Sequence, residues 1–303
     1  MFRTIIVPLD GSELAEQALS IACELARGSS ATLTLLRVHV PPRAAMAYAH
    51  EWDKEIRRRE TTYLDQVGRR MCEALGRKPE TRLVDGHPGD AIREASDRAP
   101  SPLIVMSSHG LTGFSRFWIG SVTDAVIRRA KAPVLMVRAR ERSGEAPPPA
   151  IHAVLVALDR SMLAEEILPH AAAVAVAMGA RLELLHVVDP GETPPAPPAL
   201  AEEALGAMVR QITDELRTTA GRAVRDAPGI DVQVRVIVAE SPANRIIETA
   251  HADGCELVAM TTRAAGLTRL VVGSVADKVI RGGPELVLLL RPTSEATEAP
   301  AQR

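Results

Sequence analysis

Leu103-Ile104-Val105-Met106-Ser107-Ser108-His109-Gly110-Leu111-Thr112-Gly113, continued by Gly120-Ser121-Val122-Thr123, decides how the rest of the chain is read. An unbroken apolar run enters a glycine-bearing turn. The turn ends where Val122, Val126 and Ile127, closed by Arg128 and Arg129, mark a helix. Glycines let backbone approach a bulky anion, and a helix start offers unpaired amides with a partial positive charge. Ser121 and Thr123 add hydroxyl donors at that start. The segment is a candidate phosphate cradle, although Gly-Ser ahead of a helix also serves as a plain N-cap.

The chain repeats itself. Val7-Pro8-Leu9-Asp10-Gly11-Ser12 recurs as Val156-Ala157-Leu158-Asp159-Arg160-Ser161, and Leu35-Leu36-Arg37-Val38 is echoed by Leu184-Leu185-His186-Val187. Gly113 to Arg128 aligns without a gap on Gly266 to Arg281, with nine of sixteen positions identical. Two copies of one domain follow, and 303 residues suffice for each to bury its own core. The expected divisions are a first domain over 1–139, a linker over 140–150, a second domain over 151–291 and a flexible tail over 292–303. The linker carries Pro147-Pro148-Pro149, which favours extended geometry.

Each copy alternates strand and helix patterns. In the first, strands are expected at Thr4–Leu9, Thr32–Val40, Thr81–Val84, Leu103–Ser107 and Val134–Val137. Ser12 caps a helix, and Tyr48, Trp52, Ile56, Tyr63, Val67 and Met71 give a long amphipathic one its apolar spacing. Helices also start near Gly89-Asp90 and after Gly120. Apolar strands alternating with helices predict two tandem Rossmann-like, doubly wound α/β domains, each with a five-stranded, mainly parallel sheet flanked by helices. Ligands of such sheets bind beyond the carboxyl ends of the strands at the topological switch point. Asp10 ends strand one and the glycine loop follows strand four, so both face one crevice.

Composition narrows the function classes. With 36 basic and 38 acidic residues, no whole-chain charge favours nucleic acid or an anionic membrane. Aromatics at 2% offer no base-stacking platform. Arg57-Arg58-Arg59 reads as a solvated helix face, and His39 and His186 as packing or rim residues. Cys23, Cys72 and Cys255 lack metal-ligand spacing and read as buried small hydrophobes. No apolar stretch is long enough to cross a bilayer. The N-terminus runs straight into strand one, so a soluble, cytoplasmic protein is expected.

From Thr4 to Arg291 the chain resembles the universal stress protein family in its tandem two-domain form. ATP-binding members carry glycine, two residues, glycine, nine residues, then glycine followed by Ser or Thr. Here Ser107, Gly110, Gly120 and Ser121 keep that spacing, with Ser107 in place of the first glycine. The resemblance implies ATP, with Mg²⁺, in the first domain. Asp10 would hold the ribose or adenine side, Pro8 and Leu9 the nearby wall, and the Val38 backbone the adenine edge. Ser107, Gly110, Gly120, Ser121, Val122 and Thr123 would surround the phosphates with His109 beside them, and Met106 is counted among the binding residues. Asp10 also has a plainer reading, as the cap of the next turn.

The second copy departs further. Aligned by sequence alone, Met260 and Arg263 stand for two motif glycines, and Ala276 removes the Thr123 hydroxyl. Asp159, Val187, Gly273, Ser274 and Val275 remain, with Arg263 a candidate phosphate contact, so a weaker second site is expected. No Walker loop, dinucleotide fingerprint, zinc-protease motif or nucleophile elbow occurs, and His109 has no identifiable partner carboxylate, so no catalytic or metal-ligating residue is assigned.

Three readings stay open: an ATP-binding stress or signalling module read by an unidentified protein partner, a nucleotide-independent interaction scaffold, and a slow adenine-nucleotide hydrolase. By the family's habit, Val134–Val137 meets Val287–Leu290 within one chain, packing the first domain on the second. Association into a homodimer is left open.

Overall fold

A computed structural model describes residues 1–41, 49–108, 119–138, 150–192, 197–262 and 273–292. The expected linker and tail lie almost wholly outside these residues, as do His109, Gly110 and Arg263. The first copy opens with β1 (Thr4–Pro8), α1 (Glu13–Glu16), α2 (Ala18–Ser29) and β2 (Thr32–His39). It continues with α3 (Ala49–Leu75), β3 (Glu80–Asp85), α4 (Pro88–Arg98), β4 (Pro102–Ser107), α5 (Ser121–Arg129) and β5 (Val134–Val137). The second copy begins with β6 (Ala153–Ala157), α6 (Met162–Glu165), α7 (Leu168–Met178) and β7 (Arg181–Val188). It ends with α8 (Pro198–Asp226), β8 (Val232–Val238), α9 (Pro242–Ala252), β9 (Leu257–Thr261), α10 (Ser274–Gly282) and β10 (Leu286–Leu290).

Each copy contributes five strands that run parallel, and the two sets fuse into one ten-stranded sheet. The order is β3-β2-β1-β4-β5-β10-β9-β6-β7-β8. The junction is the antiparallel pair β5–β10, in which Leu135 lies opposite Leu288 and Val134 opposite Leu289. Both strands are apolar at every position and buried, as a strand covered on both faces must be. The expected meeting of the last strands is therefore present. The outer strands β3 and β8 are half-exposed and carry charge, including Glu80, Arg82, Asp85 and Arg235, which discourages further edge pairing.

Two core layers run unbroken across the junction. One packs α1, α2, α3, α7 and α8 on a sheet face through Ile5, Val7, Leu33, Leu35, Leu135, Val154, Leu184 and Leu288. The other packs α4, α5, α9 and α10 through Ile6, Leu36, Ile104, Met136, Val258 and Val287. Alternate strand residues feed opposite layers, the period-two signature of a strand.

The long helix α3 buries the expected face in its second half, where Tyr63, Val67 and Met71 pack on the core, and departs from it at Trp52; Tyr48 lies outside the described residues. Glu60, Leu64 and Val67 point inward, while Trp52 is exposed. Trp52 belongs to the first turn of α3.

Candidate functional site

The chain leaves β1 toward β2 on one side and returns to β4 on the other, so the switch point lies between β1 and β4. The register Ile6 opposite Ile104 brings Pro8 level with Met106. Leu9-Asp10 and Ser107-Ser108 therefore leave the sheet side by side.

On the β1 side, hydrogen bonds fix the turn. The Asp10 Oδ1 atom accepts from Ser12 N at 3.0 Å and Ser12 Oγ at 2.5 Å. Ser12 Oγ in turn accepts from Ala15 N at 3.1 Å, capping α1. Asp10 thus does hold the turn, as its plainer reading required. Gly11 takes φ +84°, and a Cβ there would stand 3.6 Å from Arg37 Nη1. Leu9 is held through both backbone groups: its amide donates to the Leu36 carbonyl at 2.8 Å, and its carbonyl accepts from Arg37 Nη1 at 3.3 Å.

On the β4 side, the start of α5 is tied to the strand end. Ser108 N donates to the Val137 carbonyl at 2.8 Å, and Gly120 N donates to the Ser108 carbonyl at 2.8 Å. The buried Thr123 hydroxyl donates to the Ser107 carbonyl at 3.0 Å. Asp124 N donates to the Gly120 carbonyl, closing the first turn. The amides of Ser121, Val122 and Thr123 precede any intrahelical acceptor, and the positive end of the helix dipole lies there. Ser121 is exposed, Val122 half-buried and Met106 buried. The Val38 side chain packs against the α4–α5 layer. The structure thus gathers the described expected residues at one end of the sheet, and gives Thr123 a framing contact.

The second copy repeats half of this frame. Asp159 Oδ1 accepts from Ser161 N at 3.0 Å and Ser161 Oγ at 2.5 Å, and Ser161 caps α6. Asp277 N donates to the Gly273 carbonyl at 2.8 Å, with Ser274 exposed and Val275 half-buried beside it. Arg160 takes the position of Gly11 at φ +66°, strained for a residue with a Cβ.

Strand register corrects one correspondence. Ser107 lies opposite Val137 and Thr261 opposite Leu290, so Thr261, not Met260, is the counterpart of Ser107. Met260 is instead the counterpart of Met106, a buried strand residue. The stretch from Thr262 to Gly273 is consequently one residue shorter than that from Ser108 to Gly120. The Thr123 strap is also missing, since Ala276 is buried in its place.

A charged network beside the β1 turn escaped the sequence reading. His39 has no exposed surface; its Nδ1 lies 2.7 Å from Glu60 Oε2 and its Nε2 lies 2.8 Å from Asp53 Oδ1. Arg37 Nη2 pairs with Glu60 Oε1 at 3.1 Å. Arg57 Nε pairs with Asp53 Oδ2 at 2.9 Å, and Arg57 Nη2 with Asp85 Oδ1 at 2.8 Å. Hydrogen bonds from Arg57 and then His39 hold the Asp53 carboxyl below the usual range. His39 is therefore no rim residue. Arg57 turns inward to the network, whereas Arg58 and Arg59 pair with Glu55 on the solvated face. The signal was available: Asp53, Arg57 and Glu60 share one helix face by spacing, and Arg37 and His39 share one strand face.

Comparison with known proteins agrees with this architecture. The profile of the Universal stress protein family matches residues 1–138 and again 150–291. A universal stress protein of Methanocaldococcus jannaschii is 30% identical over 141 residues, 46% of this chain and 83% of its own length. One from Thermus aquaticus is 29% identical over 144 residues, 46% of this chain and all of its own. The crystal structure of a universal stress protein from Archaeoglobus fulgidus superposes with a TM-score of 0.68 at 22% identity, covering 95% of this chain and 98% of that one. At that identity the likeness speaks for the fold alone, and it extends over both copies. Among the described residues, no helix is long and apolar enough to cross a membrane. The chain belongs to the universal stress protein family and carries two of its domains in tandem.

Proposed function

We propose that the first domain binds an adenine nucleotide, ATP with Mg²⁺, and that the protein acts as a non-catalytic nucleotide-dependent stress or signalling module. The observation that carries this reading is the strap from Thr123 Oγ1 to the Ser107 carbonyl. It holds the amides of the α5 start over the end of β4, beside the Asp10 turn. Donors fixed in advance lose little entropy when an anion arrives. The donor set suits phosphate: backbone amides, the Ser121 hydroxyl and a helix N-terminus. Met106 and Leu9 supply apolar wall, and the Asp10 carboxyl suits a ribose hydroxyl. Mg²⁺ is read as arriving on the phosphates. The second domain, with a shorter loop and no strap, is read as weak or silent.

Asp10→Ala tests this reading. It removes the carboxylate from the turn while Ser12 still caps α1. Calorimetric titration should show Mg-ATP affinity lowered by about tenfold or more, about 1.4 kcal/mol, with the unfolding transition preserved. Unchanged affinity would contradict the assignment.

The fused sheet favours a second reading, an interaction scaffold in which the two domains form an intramolecular pseudo-dimer. That reading expects partner binding indifferent to nucleotide, so measuring capture of a partner with and without Mg-ATP separates the two.

A further inference from the structure

The network around His39 has a counterpart in the second copy that contains almost no charge. Strand pairing and the buried face of α8 set Val188 against His39, Val238 against Asp85, and Leu205, Val209 and Ile212 against Asp53, Arg57 and Glu60. His186 stands for Arg37, and its Nδ1 lies 2.7 Å from the Leu158 carbonyl, the counterpart of the Leu9 carbonyl. The same fold is thus packed at this place by an apolar cluster in one domain and by six charged or titratable side chains in the other. Replacing a buried ion network by well-packed apolar residues is often neutral or stabilising. The presence of the network on one side only calls for a role other than packing.

The geometry supplies that role. A carboxylate only accepts, so His39 satisfies Glu60 and Asp53 together only when both ring nitrogens carry protons. The groups facing the ring are Glu60 and Asp53 of α3. Behind them stand Arg37 of β2, Arg57 of α3 and Asp85 of β3. From β1 the nearest group of the network is the Leu9 carbonyl, held by Arg37. Loss of one ring proton sets a lone pair against a carboxylate oxygen. Glu60 or Asp53 must then move. Glu60 fixes Arg37, Arg37 fixes the Leu9 carbonyl, and the next residue is Asp10.

We propose that the Arg37–Glu60–His39–Asp53 network is a proton-linked brace on the nucleotide site of the first domain, so that nucleotide affinity falls when His39 gives up its second ring proton. The inference rests on the nucleotide reading above. His39 and Glu60 are positioning residues that act through Arg37. The bound state holds the extra proton, so nucleotide binding takes up protons and rising pH weakens it.

The test compares wild type with the double variant His39→Val, Glu60→Ile, which installs the residues of the second domain. Mg-ATP affinity is measured by calorimetry from about pH 5 to about pH 8, the general window of histidine charge change. Titration of the nucleotide itself is common to both proteins and cancels in the comparison. Wild-type affinity should fall by about tenfold more than that of the variant, the equivalent of a one-unit linkage. Superimposable profiles, or wild-type affinity that rises with pH, would overturn the proposal.

Nitrogen NMR of the histidine rings in the ligand-free wild type provides a second arm. His39 should carry both ring N–H groups where Mg-ATP affinity is high and only one where it has fallen. A single tautomer throughout would overturn the brace even if the double variant fails to fold. Absence of Mg-ATP binding at every pH would instead overturn the nucleotide reading, and with it any link from the brace to affinity.

Discussion

Gly28, near the end of α2, lies so close to Ala177 of α7 that a Cβ at position 28 would fall on the Ala177 carbonyl. The two positions are equivalents in the duplicated sequence. So are Leu135 and Leu288, which face one another where β5 meets β10. A pseudo-twofold axis therefore passes through one contact between helices and one between strands, and the tandem chain closes on itself along both. Gly28→Ala must push α2 from α7. Overpacking of this kind costs about 1–3 kcal/mol. Urea unfolding should show the loss, and a midpoint unchanged from wild type would mean that the helices do not meet there.

Thr123→Val keeps the shape of the side chain and removes its hydroxyl, leaving the buried Ser107 carbonyl without that donor. The cost should be about 1–3 kcal/mol in stability. Mg-ATP affinity should fall as well, because the α5 start loses its strap. If stability falls while affinity stays constant, the strap has no part in the site.

Glu183 is buried in β7, and Cys255 Sγ lies 3.9 Å from it. Its Oε1 is 3.1 Å from Arg235 Nε but lacks a hydrogen bond among the described residues. Burial pushes its carboxyl above the usual range, with the Arg235 charge opposing. A carboxyl raised in the folded state favours folding below its unfolded pKa and loses that contribution as pH rises through its folded pKa. Glu183→Gln should therefore raise the melting temperature at neutral pH, with the difference vanishing below about pH 4, the ordinary glutamate range. A lower melting temperature at neutral pH would show that the Arg235 pair outweighs burial.

Burial, reinforced by the Glu183 charge, pushes the Cys255 thiol up to about 12. Burial also raises Cys23. Only thiolate is alkylated at a useful rate. Near pH 8, iodoacetamide should label the partly exposed Cys72 first, with Cys255 slower by at least about tenfold. Peptide mass spectrometry of the timed reaction checks the order, and equal rates would mean that the α9–β9 turn opens readily.

The alternation of apolar strands and capped helices made the fold legible, because period and cap chemistry are local properties. Ser12 caps its helix as expected, and Ser161 repeats the cap at the equivalent place of the second copy. The parallel-sheet reading carried the Asp10 turn and the Gly120 helix start to one place, because both follow the carboxyl ends of strands that the structure sets side by side. The His39 network stayed hidden because its members come from two strands and a helix. Only packing shows that the inward face of α3 carries Glu60 rather than Trp52. The partner of Ser107 in the second copy was misassigned by one residue for a related reason. A gapless match through the glycine loop conceals a deletion that strand register reveals.

Calorimetric titration of the whole chain with Mg-ATP tests the central claim most directly. One nucleotide per chain, lost in a Gly110→Val variant and retained when Ser274 is replaced by alanine, is the predicted result. No binding, together with no nucleotide released from the purified protein on denaturation, would contradict it and leave the pseudo-dimer as an interaction scaffold.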